Sequence, residues 1–197
     1  LQYSGAIVAL RVDEVEMPGG RTAKREVVEH HGAVAVAAVN DRGEVALVLQ
    51  YRHPLGRRLF ELPAGLLDGG PDESPLEAAQ RELLEETGLA ADHWDVLIDV
   101  AVSPGFTDEA LRVFSATGIT EVPRPDPEDE EADITVHWVS VDDAVARVFS
   151  GEIVNSTAVS GILSLAAAQA RSIALRGTDA PWTDRPTSFA QRKAAQA

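Results

Sequence analysis

The chain contains no cysteine, which removes disulfides, thiolate nucleophiles and cysteine-bound zinc from consideration. It also lacks a long hydrophobic run. The longest apolar stretch, residues 158–170, is broken by Ser and Gln and is too short to span a bilayer, so no membrane partner is expected. Basic residues are few, 17 against 32 acidic ones, for a net charge of −15. Without a Lys/Arg cluster to offset it, that charge repels a phosphate backbone, and no nucleic-acid partner is expected. The first residues show no charged segment followed by an apolar one, the pattern of a secretory leader, so the expected location is cytoplasmic. An acidic chain that handles phosphates needs cations to mediate.

What is present suits one domain with a real core, with 45% apolar and 25% charged residues among 197. The first third reads as strands. Residues 6–17 and 22–31 flank the turn Pro18-Gly19-Gly20, and residues 33–39 and 44–51 flank Asn40-Asp41-Arg42-Gly43. Further strands are expected at 95–102, 111–116 and 134–139. Helices are expected from Ser74 onward, at 141–149, and at 156–171, where Asn155-Ser156 supplies a cap. The acidic, proline-containing stretch 123–131 reads as a loop, and the tail after Gly177, with Pro181 and Pro186, as irregular. The expected class is α+β, a mixed β-sheet sandwiched between helices (α/β/α).

The helix opening at Ser74 is specified at both ends. Ser74 caps it, Pro75 suits its first turn, Glu77 completes a capping box, and Gly88 offers a left-handed stop. Leu76, Ala79 and Leu83 form its apolar stripe. Its polar face is less comfortable, because Glu82, Glu85 and Glu86 share the last two turns. Like charges at this spacing cost a helix roughly 0.2–0.5 kcal/mol, and carboxylates at the negative end of the dipole lose about 0.3–1 kcal/mol more. Arg81 offsets part of this through Glu77 or Glu85. An isolated pattern of this kind is most simply a solvated acidic face, yet clustered hard oxygens are also what Mg²⁺ or Mn²⁺ asks for.

The wider pattern decides between them. Glu73 stands eight residues before Arg81 in the run Arg81-Glu82-Leu83-Leu84-Glu85-Glu86-Thr87-Gly88-Leu89. This resembles the Nudix hydrolase signature, E-x7-R-E-U-x-E-E-x-G-U with U aliphatic, at every fixed position. One departure lies before the helix: seven residues separate Gly65 from Glu73, where the family usually has five. Pro104, sixteen residues beyond Gly88, together with Leu62-Pro63-Ala64-Gly65-Leu66-Leu67-Asp68 and Arg25-Glu26-Val27-Val28-Glu29-His30, resembles the ADP-ribose pyrophosphatase branch of actinobacterial type.

That resemblance implies a set of roles. Glu82 and Glu86 would be the main metal ligands, with Glu85 sharing and the Ala64 carbonyl adding an oxygen, for two or three Mg²⁺ or Mn²⁺ ions. Arg81 would orient Glu73 and Glu85. The catalytic base would come from the acidic loop, as Glu131 or Glu130. Arg52 and Leu66 would contact substrate, Arg25 and Glu26 would reach the adenosine part across a dimer interface, and Ser103, Pro104, Gly105 and Glu109 would hold the terminal ribose. The five histidines lack metal-site spacing and read as structural. The implied reaction is hydrolysis of ADP-ribose to AMP and ribose 5-phosphate. The alternatives are another nucleotide sugar, NADH or a dinucleoside polyphosphate as substrate, or an ADP-ribose sensor without turnover. The implied organisation is a homodimer with an N-terminal β-lobe (1–31) that joins the dimer and contacts substrate, a catalytic domain (32–177) and the tail (178–197).

Overall fold

The computed structural model describes residues 1–70, 72–125 and 133–195. The chain forms β1 (Tyr3–Ser4), β2 (Val8–Glu16), β3 (Thr22–His30), β4 (Ala33–Ala38), β5 (Glu44–Arg52), β6 (Arg57–Glu61), β7 (Ala64–Leu66), α1 (Pro75–Thr87), β8 (Leu89–Ala101), β9 (Ala110–Glu121), β10 (Thr135–Ser140), α2 (Val141–Ser150), α3 (Ser156–Arg171) and α4 (Ser188–Ala194). The strands make three sheets, ordered β1-β2-β3, β10-β5-β6 and β7-β4-β9-β8. Among the strands of the described residues only β4 and β9 pair in parallel, so of these sheets the last alone is mixed. The expected single mixed sheet is therefore two sheets in the body of the protein, beside a separate N-terminal antiparallel one.

β4 explains the layering. All six of its residues are buried, and alternate side chains leave a strand on opposite faces. Val34, Val36 and Ala38 pack with Ala78, Ala79 and Leu83 of α1. Ala35 and Ala37 pack with Ala144 of α2 and Ala158, Ile162 and Leu165 of α3. The mixed sheet is thus covered by helices on both sides, as its parallel pair requires.

The helix ends follow their sequences. Ser74 and Glu77 form the capping box, and Gly88 takes a left-handed conformation with φ 68°. Ser140 and Asn155 cap α2 and α3 through side-chain oxygens. Boundaries differ elsewhere. β8 begins directly after Gly88, six residues before the expected 95, and β9 runs on to Glu121. β6 and β7 were not expected, being short and carrying Arg57, Arg58 and Gly65.

The tail corrects a further expectation, since it is not irregular throughout. α4 docks on the end of β3, where Phe189 is fully buried with its ring edge-on to His31 at 4.5 Å. Arg192 forks onto Glu29 with bonds of 2.6 and 2.8 Å. Farther back, buried Arg112 pairs with Asp99 and donates to the carbonyls of Ala180 and Pro181 at 2.8 and 3.0 Å. The tail is held by these tertiary contacts rather than by its own periodicity.

Candidate active site

Helix α1 packs on β7, β4 and β8, and Glu82 and Glu86 lie against Gly65 and Ala64 of β7, which turns this acidic side of the helix inward. Glu82 and Glu86 are only 8% and 5% exposed, while Glu85 is half-buried. Gly65 on β7 permits this, because a Cβ there would fall on the Glu82 carboxylate. Only glycine lets a carboxylate lie against the backbone at that point. Gly69 does the same for Glu73.

Arg81 is the hub of the cluster. Its guanidinium bonds Glu73 at 2.8 Å, Glu82 at 2.6 Å and Glu85 at 3.0 Å. Asp68 lies 3.8 Å from it. These carboxylates, the hydrogen bond to Glu73 first, hold the guanidinium protonation firmly above its ordinary value. Glu77 is not among its partners: its carboxylate accepts from the Ser74 N–H at 2.8 Å instead. One cation thus faces three directly bonded carboxylates, and the cluster stays net negative.

Burial has a strong effect on the two innermost acids. Glu86 accepts a bond from the Ala64 N–H at 2.9 Å, but burial, with Glu82 nearby, pushes its carboxyl up to about 8. Burial also raises Glu82, against the opposing pull of Arg81. Burial thus works against the charged form of both groups, an effect that a bound cation would offset.

The cluster opens on a cavity of about 800 Å³, lined by Ala64, Leu66, Arg81, Glu82, Glu85, Glu86, Arg52 and Glu109 among others, which is of a size to hold a small-molecule ligand. Arg52 forks onto buried Glu61 with bonds of 2.9 and 2.7 Å. Ser103, Pro104 and Gly105 do not line the cavity; they form a turn in which the Phe106 and Thr107 N–H groups donate to the Ser103 carbonyl at 3.1 and 3.2 Å. Arg25 and Glu26 lie exposed on β3, away from the cavity of this chain, with Arg25 bonded to the Lys24 carbonyl. Glu130 and Glu131 lie outside the described residues. Glu61, Gln50 and His30 line the cavity without having been singled out as site residues. Glu61 carried a signal, a lone acid in the apolar run Leu59-Phe60-Glu61-Leu62.

The donor set fits a hard divalent cation: clustered carboxylate oxygens, no sulfur, and buried acids whose charge a cation would stabilise. Among the described residues no three acidic or histidine side chains are already gathered as a cation site, because Glu82 and Glu85 turn onto Arg81. A cation there competes with that guanidinium.

The site is thus a buried glutamate pair on a capped helix, braced by one arginine and admitted by a strand glycine. The chain belongs to the Nudix family, and residues 29–156 match the NUDIX domain. Within it, the chain is 53% identical over 192 residues to the ADP-ribose pyrophosphatase of Mycobacterium tuberculosis, covering 98% of this chain and 92% of that protein. It is 42% identical over 151 residues to the ADP-ribose pyrophosphatase of Bacillus subtilis, covering 77% and 80% respectively. The methanol dehydrogenase activator of Bacillus methanolicus is 40% identical over 157 residues, covering 80% and 84%.

Proposed function

We propose that this chain hydrolyses the diphosphate bond of ADP-ribose, giving AMP and ribose 5-phosphate. The observation that carries the substrate is the 53% identity over 98% of the chain to an ADP-ribose pyrophosphatase. The chemistry rests on the buried acids of α1.

Glu82, Glu86 and Glu85, with the Ala64 carbonyl, would hold two or three Mg²⁺ or Mn²⁺ ions. Bound there, such ions set positive charge against the diphosphate and make a water more acidic. Arg81 keeps the acids from repelling one another and fixes their rotamers. The Ala64 N–H holds Glu86 toward β7. Arg52, oriented by Glu61, presents a guanidinium to the cavity and is assigned to the substrate, with Leu66 and Glu109. Glu131 or Glu130 would take the proton from the attacking water. Ser103, Pro104 and Gly105, which do not line the cavity of this chain, keep their assignment to the terminal ribose together with Glu109.

The protein would work as a homodimer in the cytoplasm. Leu1, Tyr3, Ile7 and Val15 of the N-terminal lobe are exposed apolar side chains, which a second copy would cover. Arg25 and Glu26, exposed on the same lobe, would then serve the partner's site.

The direct test is incubation with ADP-ribose and Mg²⁺, with separation of the products by chromatography. AMP and ribose 5-phosphate in equal amounts support the proposal; intact ADP-ribose after tight binding points to a sensor. One relative is an ADP-ribose pyrophosphatase and another a methanol dehydrogenase activator, so nucleotide sugars, NADH and dinucleoside polyphosphates belong in the same panel, ranked by kcat/KM.

A further inference from the structure

His30 closes β3 at the wall of the same cavity, beside Glu109. Backbone bonds put it there. The Val28 N–H donates to the Phe106 carbonyl at 2.8 Å, and the Asp108 N–H donates to the Val28 carbonyl at 3.2 Å. The His30 N–H then donates to the Asp108 carboxylate at 2.9 Å. The end of β3 is thus joined to the loop between β8 and β9, and the Glu109 N–H is fixed in turn by the Thr107 hydroxyl at 3.1 Å.

The imidazole is locked in one tautomer. The Gly32 N–H donates to His30 Nδ1 at 3.1 Å, so Nδ1 carries no proton and the proton of the neutral ring sits on Nε2. Burial, the largest influence, disfavours a second proton despite the pull of Glu109 and Asp108. Among the described residues no protein group receives the Nε2–H. The cavity wall therefore offers a neutral donor and, next to it, a carboxylate acceptor.

We propose that His30 is a further substrate-recognising residue beside Glu109, its imidazole Nε2–H donating to a hydroxyl oxygen of the ribose diol whose hydroxyl hydrogens the Glu109 carboxylate, already assigned to the substrate, accepts. This rests on the reading of the substrate as ADP-ribose. A vicinal diol fits because each hydroxyl both donates and accepts, whereas a phosphate offers only acceptors and is repelled by Glu109. ADP-ribose carries two such diols, one on the adenosine and one on the terminal ribose.

Two substitutions separate the cavity-facing nitrogen from the structural one. In His30→Asn the side-chain oxygen can take over the Gly32 bond while the cavity donor is lost. In His30→Gln the longer amide can restore a donor toward the cavity. Isothermal titration of AMP and of ribose 5-phosphate, in Mg²⁺, needs no turnover, so a failure of hydrolysis and a failure of this inference read out separately. The expected result is that His30→Asn weakens one product about tenfold and leaves the other unchanged, with His30→Gln recovering most of the loss. A change for ribose 5-phosphate assigns the terminal ribose, and a change for AMP assigns the adenosine ribose. Equal affinities in wild type and His30→Asn for both products overturn the inference. So does weakening of both together with a lowered Tm, which marks a purely structural histidine. Binding of neither product by the wild type overturns it as well.

Discussion

Replacing Glu86 by Gln should make the metal-free protein more stable, and the gain should grow with pH. In the folded chain burial raises this carboxyl from 4.5 to about 8, so folding favours its protonated form. The destabilisation is absent below pH 4.5, where both states are protonated, grows as pH rises toward 8, and is constant above. At about 1.36 kcal/mol per pH unit, the cost of the native glutamate is roughly 1 kcal/mol at pH 5 and roughly 4 kcal/mol at pH 8. Glutamine cannot ionise, keeps an oxygen for the Ala64 N–H, and escapes this cost. Urea unfolding in the presence of a chelator, at pH 5 and pH 8, reads the difference directly. Adding Mg²⁺ at pH 8 should then raise the midpoint of the wild type and leave that of Glu86→Gln unmoved, since only binding to the folded state stabilises it. A gain that is equal at the two pH values, or that shrinks as pH rises, would refute the assignment of Glu86 as a carboxylate strained by burial.

Three other substitutions test separate parts of the structure. Gly65→Ala sets a methyl on the Glu82 carboxylate; a stability loss of about 1–3 kcal/mol should accompany loss of metal-dependent activity, and a fully active, fully stable variant would contradict the packing. Arg81→Lys keeps a charge but cannot bridge Glu73, Glu82 and Glu85 together. It should lower metal affinity or turnover about 10- to 100-fold, measured as the Mg²⁺ dependence of kcat/KM. Phe189→Ala empties the fully buried site of the tail beside His31 and should cost about 3–5 kcal/mol in urea unfolding. A near-neutral result would mean that α4 is not docked as described.

How much of this was legible in the sequence depended on the range of the interactions involved. α1 was readable to the residue because its cap, box and left-handed stop are all local, and β4 because a short run of Val and Ala admits little else. The partner of Glu77 was not readable. Helical spacing allowed Arg81, but the capping box took the carboxylate. β6 stayed hidden because its inward residues include a glutamate, Glu61, whose charge is met by Arg52 nine positions away in sequence, with Gln50 also donating to it. α4 was missed because one aromatic and one ion pair to β3 hold it, and neither leaves a periodic trace. The division of the body into two sheets is equally non-local, since alternation along a strand names its faces but not its neighbours. Of the proposed site residues, those on α1 and β7, with Arg52 and Glu109, meet at one cavity, while Arg25, Glu26 and the 103–105 turn stand away from it.

The most direct measurement is steady-state hydrolysis of ADP-ribose with Mg²⁺ by the wild type, Glu82→Gln and Glu86→Gln, each first shown to be folded by its urea midpoint. The expected result is AMP from the wild type, with kcat lowered about a thousandfold or more in both variants, equivalent to about 4 kcal/mol of transition-state stabilisation. Full activity in Glu86→Gln, or no AMP from a folded wild type, would contradict the assignment of α1 as the metal-holding element of an ADP-ribose hydrolase.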